Sequence, residues 1–198
     1  MDSGPRSYRL VERGQDMERT RERILGAARV AFLAAPYEVV TLAAVAREAG
    51  VSTQTVLNHF TSKEGLLMSV IDAFAAQVGD LRGTPSPGDV GAAVSSLMSQ
   101  YEVLGDANVS YVAVAARSPA IAREVEVARG DHRRWLEAMF ADELAAAQDP
   151  SRVLAALYAA TDVGTWKLLR RDLGHSVSET AAVLETLVRG ALGSIGER

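Results

Sequence analysis

The residues best suited to chemistry fall in one short stretch. Thr53, Gln54, Thr55, Asn58 and His59 lie on or beside one face at helical spacing, and Ser52 precedes them as a helix cap. Their side chains are hydrogen-bonding types suited to base edges and phosphates in a major groove. The rest of the chain offers little catalytic material. It has no cysteine, which excludes disulfides, thiolate metal sites and cysteine nucleophiles. Its histidines, His59, His132 and His175, are too scattered to suggest a metal site by spacing. An acid-base enzyme built on His132 with Asp131 or Asp162 has no nucleophile or metal spacing behind it. No catalytic residue, metal or cofactor is therefore expected.

These residues must be held by helices. Apolar residues recur at three and four rather than two, strand signals are almost absent, and no long repeat is visible. The chain reads as all-α with about nine helices. Residues 1–16 are polar and read as a disordered arm, with a small excess of arginine over acids across residues 1–29. A first helix is expected from Glu18 to about Ala34, with Ile24, Ala28 and Phe32 on one face and Pro36 closing it. Thr41 caps a short helix to Ala49, Ser52 caps one to Phe60, and Ser62 caps one to about Gly79. The stretch Asp80 to Asp89, with Gly83, Pro85, Pro87 and Gly88, is the strongest break and divides a domain over 17–79 from one over 80–198. Beyond it, helices are expected over 89–104, 108–117, 119–147 with an interruption at Gly130, 150–172 and 178–194.

A helix-turn-helix needs a small residue where its helices cross, a glycine that accepts positive φ at the turn, and an apolar anchor in the second helix. Ala46, Gly50 and Val56 fill those roles. The net charge of −4 runs weakly against a nucleic-acid partner, but its distribution matters more than its sum. No apolar run reaches the roughly 18 residues a membrane span needs, and the start lacks a signal-peptide segment, so a cytoplasmic protein is expected.

The segment Thr41 to Leu67 resembles the DNA-binding head of the TetR family of regulators. The likeness lies in Ile24, Ala28 and Phe32, the Thr41 cap, Ala-Arg-Glu-Ala-Gly-Val-Ser at 46–52, and His-Phe-Thr-Ser-Lys-Glu-Gly-Leu-Leu at 59–67. It covers about sixty residues, and the tail Thr161 to Gly174 resembles the family's C-terminal lobe more loosely. The resemblance implies that Thr41 and Lys63 touch phosphates, that the helix at 52–60 enters the major groove, and that the fourth helix couples the head to the second lobe. Two departures stand out. Leu57 occupies a position where many members have tyrosine, and Ala35-Pro36-Tyr37 replaces the usual glycine after the first helix.

The same resemblance implies a homodimer on a palindromic operator, formed through the last two helices. The stripe Leu184, Leu187, Val188, Ala191, Leu192 and Ile195 suits that role, with Trp166 at the seam; the alternative is that it closes the chain's own core. A pocket for a small hydrophobic or aromatic effector is also implied. Its candidate lining is Phe74, Met98, Tyr101, Tyr111, His132, Trp135, Tyr158 and Asp162. The expected activity is that of a repressor released from its operator by that effector. A helical small-molecule carrier that has kept the fold without DNA binding is the alternative.

Overall fold

The computed structural model describes residues 4–35, 37–116 and 118–193, with backbone alone at 4–13 and at 120. Pro36 and Ile195, named above, and position 117, the end of one expected helix, lie outside the described residues. The described chain is all-helical, with no strand. None of its helices is long and apolar enough to cross a membrane. It divides into two compact units, Met1–Phe74 and Ala75–Arg198.

The first unit is built on α1 (Gly4–Ala34), α2 (Leu42–Glu48), α3 (Thr53–Phe60) and the first part of α4 (Lys63–Arg82). The stripe Ile24, Ala28 and Phe32 is buried, at i, i+4 and i+8. α2 packs on α1 and on α3, and Val45 and Ala46 of α2, Val56 and Phe60 of α3, and Leu66, Leu67 and Val70 of α4 are likewise closed to solvent. The helix expected from Glu18 begins at Gly4 instead, so the stretch read as a disordered arm is helical from residue 4. Its mixed Arg and Glu residues are good helix formers without an apolar stripe, and apolar periodicity alone misses such a segment.

The second unit holds the end of α4, α5 (Val90–Ala115), α6 (Pro119–Met139), α7 (Ala141–Ala146), α8 (Pro150–Thr161), α9 (Val163–Lys167) and α10 (Val177–Gly193). Central to it is α5, which packs against α6, α9 and α10, while α8 packs on α6, α7 and α10. Trp166, Leu97, Leu136, Phe140, Leu157 and Leu184 fill the core.

Several boundaries differ from expectation. The break at Gly105 is absent, and α5 runs through it because that glycine serves packing: a Cβ there would sit 2.5 Å from the Trp166 ring. The helix over 119–147 is interrupted at the buried Phe140, whose φ and ψ of −124° and 35° leave the helical region, rather than at Gly130. The segment 150–172 breaks at Asp162, which leaves the helical conformation to accept a hydrogen bond from Gly164 N at 2.7 Å and cap α9. A π turn, Leu168–Asp172, comes next, in which Leu173 N donates to Leu168 O at 2.9 Å. The last helix is capped by Ser176 rather than Ser178. Glu179 N donates to Ser176 Oγ at 3.2 Å and Ser176 N donates back to Glu179 Oε2 at 2.8 Å, a reciprocal capping box.

Candidate nucleic-acid interface and a buried polar cluster

In the head the turn comes first. Gly50 has φ of +65°, and Val51 N donates to Ala46 O at 2.9 Å, closing a tight corner that sends α3 away from α2. Each helix start is fixed by a side chain: Ala44 N donates to Thr41 Oγ1 at 3.1 Å, Thr55 N to Ser52 Oγ and Gly65 N to Ser62 Oγ, both at 3.0 Å. With Val56 and Phe60 anchored inside, the opposite side of α3 is turned to solvent.

Thr53, Gln54 and Asn58 are exposed there, and Gln54 Nε2 donates to Asn58 Oδ1 at 3.0 Å, so the two amides form one hydrogen-bonding surface. Thr55 and His59 are half-buried at its margins; the Thr55 hydroxyl is tied to Ser52 Oγ at 2.8 Å. Thr41 is exposed, and its hydroxyl hydrogen remains available because capping uses the oxygen as acceptor. Lys63 opens α4, where free amides and the helix dipole favour an anion. Its Nζ lies 4.3 Å from the centre of the Tyr37 ring and donates to Glu38 O at 3.4 Å. Burial first, then the Glu64 and Glu38 carboxylates, raise the Tyr37 phenol above its ordinary pKa and keep it neutral. Leu57 is half-buried on the edge of the surface.

The pocket candidates separate. Phe74 belongs to the first unit, where Arg29 lies over its ring at 5.5 Å. Met98 is buried in the core of the second unit and Tyr111 is buried further along α5. Around His132 the others converge: its ring stacks on Trp135 with centroids 5.8 Å apart and meets Tyr158 edge-on at 5.0 Å. Tyr101 Oη donates to Thr161 O at 2.7 Å, and His132 Nε2 lies 2.9 Å from Thr161 Oγ1. That hydroxyl already donates to Leu157 O at 2.7 Å, so it accepts from His132, and the imidazole carries its proton on Nε2. Nδ1 is left as a buried acceptor with no partner among the described residues. Burial, reinforced by the Arg82 charge, pushes His132 down to about 3, so the ring is neutral at pH 7. Tyr158 and Asp162 also line a groove of about 450 Å³ with Glu126, Arg129, Gly130 and Arg133.

Sequence reasoning missed Arg82, Gln100 and Thr161 in this cluster. Arg82 Nε donates to the buried Gln100 Oε1 at 2.8 Å, and its guanidinium lies 4.9 Å from the centre of the Trp135 ring. Gln100 interrupts the apolar series Leu97, Tyr101 and Leu104, and that interruption was the available signal.

The dimer candidates also divide. Trp166, Leu184 and Val188 are buried in the protomer's own core, and Ala191 and Leu192 pack against it half-buried. Leu187 is 43% exposed, and Leu168, Leu173 and Val177 are exposed apolar residues on the neighbouring segments. Trp166 is held by polar neighbours. Its Nε1 donates to Glu102 Oε1 at 2.9 Å, Arg170 grips both oxygens of Glu102 at 2.8 Å, and Arg171 pairs with Asp106 at 2.9 Å. Hydrogen bonding from Arg170 holds the Glu102 carboxyl below the ordinary glutamate range.

No curated protein matches the sequence. Residues 24–70 match the model of a family described as bacterial regulatory proteins, tetR family. Among solved structures, the chain is similar to a transcriptional regulator from Rhodococcus sp. Rha1 (TM-score 0.61, 21% identity, 89% of this chain and 99% of that one). It is also similar to a TetR-family regulator from Streptomyces coelicolor A3 (TM-score 0.52, 20% identity, 89% of this chain and 96% of that one). Likeness at this identity is a likeness of fold, which joins the match in the head. Residues 24–70 thus match the model of the tetR family, and the chain as a whole is similar in fold to solved transcription regulators, one of them of that family.

Proposed function

We propose that this protein is a sequence-specific DNA-binding transcription regulator, acting as a homodimer that represses until a small hydrophobic or aromatic effector releases it from a palindromic operator. The observation that carries the reading is the exposed amide pair Gln54 and Asn58 on a helix whose other side is locked into the head. Amide side chains of this kind can form bidentate hydrogen bonds with adenine edges. Residues 17–79 serve as the DNA-binding domain and 80–198 as the effector and dimer domain. Ser52, Thr53, Gln54, Thr55, Asn58 and His59 form the reading helix, with Thr41 and Lys63 on phosphates. Effector binding around His132, Trp135, Tyr158 and Tyr101 favours a head spacing unsuited to the operator. Two copies meet through the Leu187 side of α10, with a role there for Ala191 and Leu192.

Selection of binding sites from random duplexes tests this directly. An enriched palindrome is expected, with half-sites about 34–36 Å apart. Gln54→Ala changes which bases are preferred, whereas Lys63→Ala weakens all sequences about equally and lowers the salt slope by about 1. Failure to enrich any site at moderate salt would leave the carrier reading. A monomeric mass in solution sinks the dimer.

A further inference from the structure

We infer that Tyr37 is a positioning residue for Lys63, its ring face holding the lysine ammonium at the start of α4 ready for a DNA phosphate. The inference rests on the DNA-binding reading above and adds a residue from the loop between α1 and α2. Three observations converge on it. The Tyr37 ring stacks on Phe32 with centroids 6.0 Å apart and planes 25° from parallel, and Phe32 is buried in the head, so the ring is anchored. Lys63 Nζ sits 4.3 Å from that ring's centre, inside the range of about 6 Å at which an aromatic face attracts a cation. The same Nζ donates to Glu38 O, from the residue next to Tyr37.

An ammonium has three N–H donors. One goes to the Glu38 carbonyl and the ring face takes a second side, which leaves a donor for an incoming oxygen. A free lysine side chain loses considerable rotamer freedom when it is fixed on a phosphate, and prior fixation removes part of that cost. The ring face, rather than the hydroxyl, is what Tyr37 supplies.

The test uses the full chain and a mixed-sequence duplex of about three helical turns at low salt, because a phosphate contact is independent of sequence. Tyr37→Leu is expected to weaken binding about threefold in the wild-type background and to have no effect on top of Lys63→Ala. Tyr37→Phe, which keeps the ring face, should bind as the parent does. Ring-fluorinated phenylalanines at position 37 keep the shape and drain the face of negative charge; log affinity should fall steadily with each fluorine, and this series serves even where leucine unfolds the head. A flat fluorine series, an equal loss in the Lys63→Ala background, or a Tyr37→Phe variant that loses binding would each overturn the inference. Failure of the parent protein to bind any duplex at low salt would instead remove the DNA-binding reading itself.

Discussion

Thr53, Gln54 and Asn58 of the head stand in solvent, whereas Gln100, Ser118, His132, Thr161 and Thr180 of the second unit are closed off from it. Among the described residues, every fully buried polar side chain belongs to the second unit. A polar group at the surface costs little and is free to meet a partner, but a buried one must find hydrogen bonds inside or destabilise the fold. The head therefore combines an all-apolar interior with a polar outer face, which suits the reading role proposed for it. The second unit holds an internal network in which His132 Nδ1 remains unsatisfied. Such a network is costly for a passive scaffold and suits the effector-binding role proposed for this unit.

This contrast can be pressed hardest by overpacking. Gly105→Ala drives a methyl into the Trp166 ring and should destabilise the second unit by about 3 kcal/mol, read as a lower urea midpoint. An unchanged midpoint would mean that the core is looser than its geometry. Acid comes next. His132 is depressed in the folded chain, so below the unfolded value of 6.5 the unfolded state gains a proton that the folded state refuses until about pH 3. Stability is thus full above about 6.5 and is lost as pH falls through that window, about 2 kcal/mol of it by pH 5. A His132→Phe variant should lose this part of the pH dependence, which denaturant titrations at pH 7 and 5 would measure. Glu102 acts in the same direction lower down. Its carboxyl is depressed by Arg170, so its contribution persists above the ordinary glutamate range and disappears as acid protonates the folded form.

Smaller effects belong to the head. Ser52→Ala removes the cap of α3 and should cost about 1 kcal/mol, with fraying of that helix visible as faster amide exchange at Thr55. Gly26→Ala, at an exposed helical position where a new methyl meets nothing within 4 Å, should raise stability by roughly 0.5–1 kcal/mol. If Gly26→Ala destabilised and Gly105→Ala did not, the assignment of tight packing to the second unit would be reversed.

How far the sequence could be read obeys the same division. In the head, Thr41, Ser52, Ser62 and Gly50 act locally, each on a neighbour three or so residues away, and local signals survive in a sequence. In the second unit the decisive partners are distant. Gly105 looks like a helix breaker until Trp166, sixty-one positions on, is seen to fill its space. Thr161 gathers Tyr101 and His132 only because α5, α6 and α8 pack together. The Tyr37–Lys63 pair is an intermediate case: the sequence marks the loop as unusual, and only the fold brings the two side chains together.

The π turn at Leu168–Asp172 takes up one residue. Its hydrogen bonds span five residues where an α-helix spans four, so the segment accommodates one residue more than a regular turn would. Deleting a single residue there would let the turn relax to regular pairing with the flanking chain held in nearly the same phase, because the wide turn takes up its extra residue without advancing the rotation. A one-residue deletion after Arg170 would therefore leave the Arg170–Glu102 clasp in register, which the same deletion in a regular helix would not do for the chain beyond it.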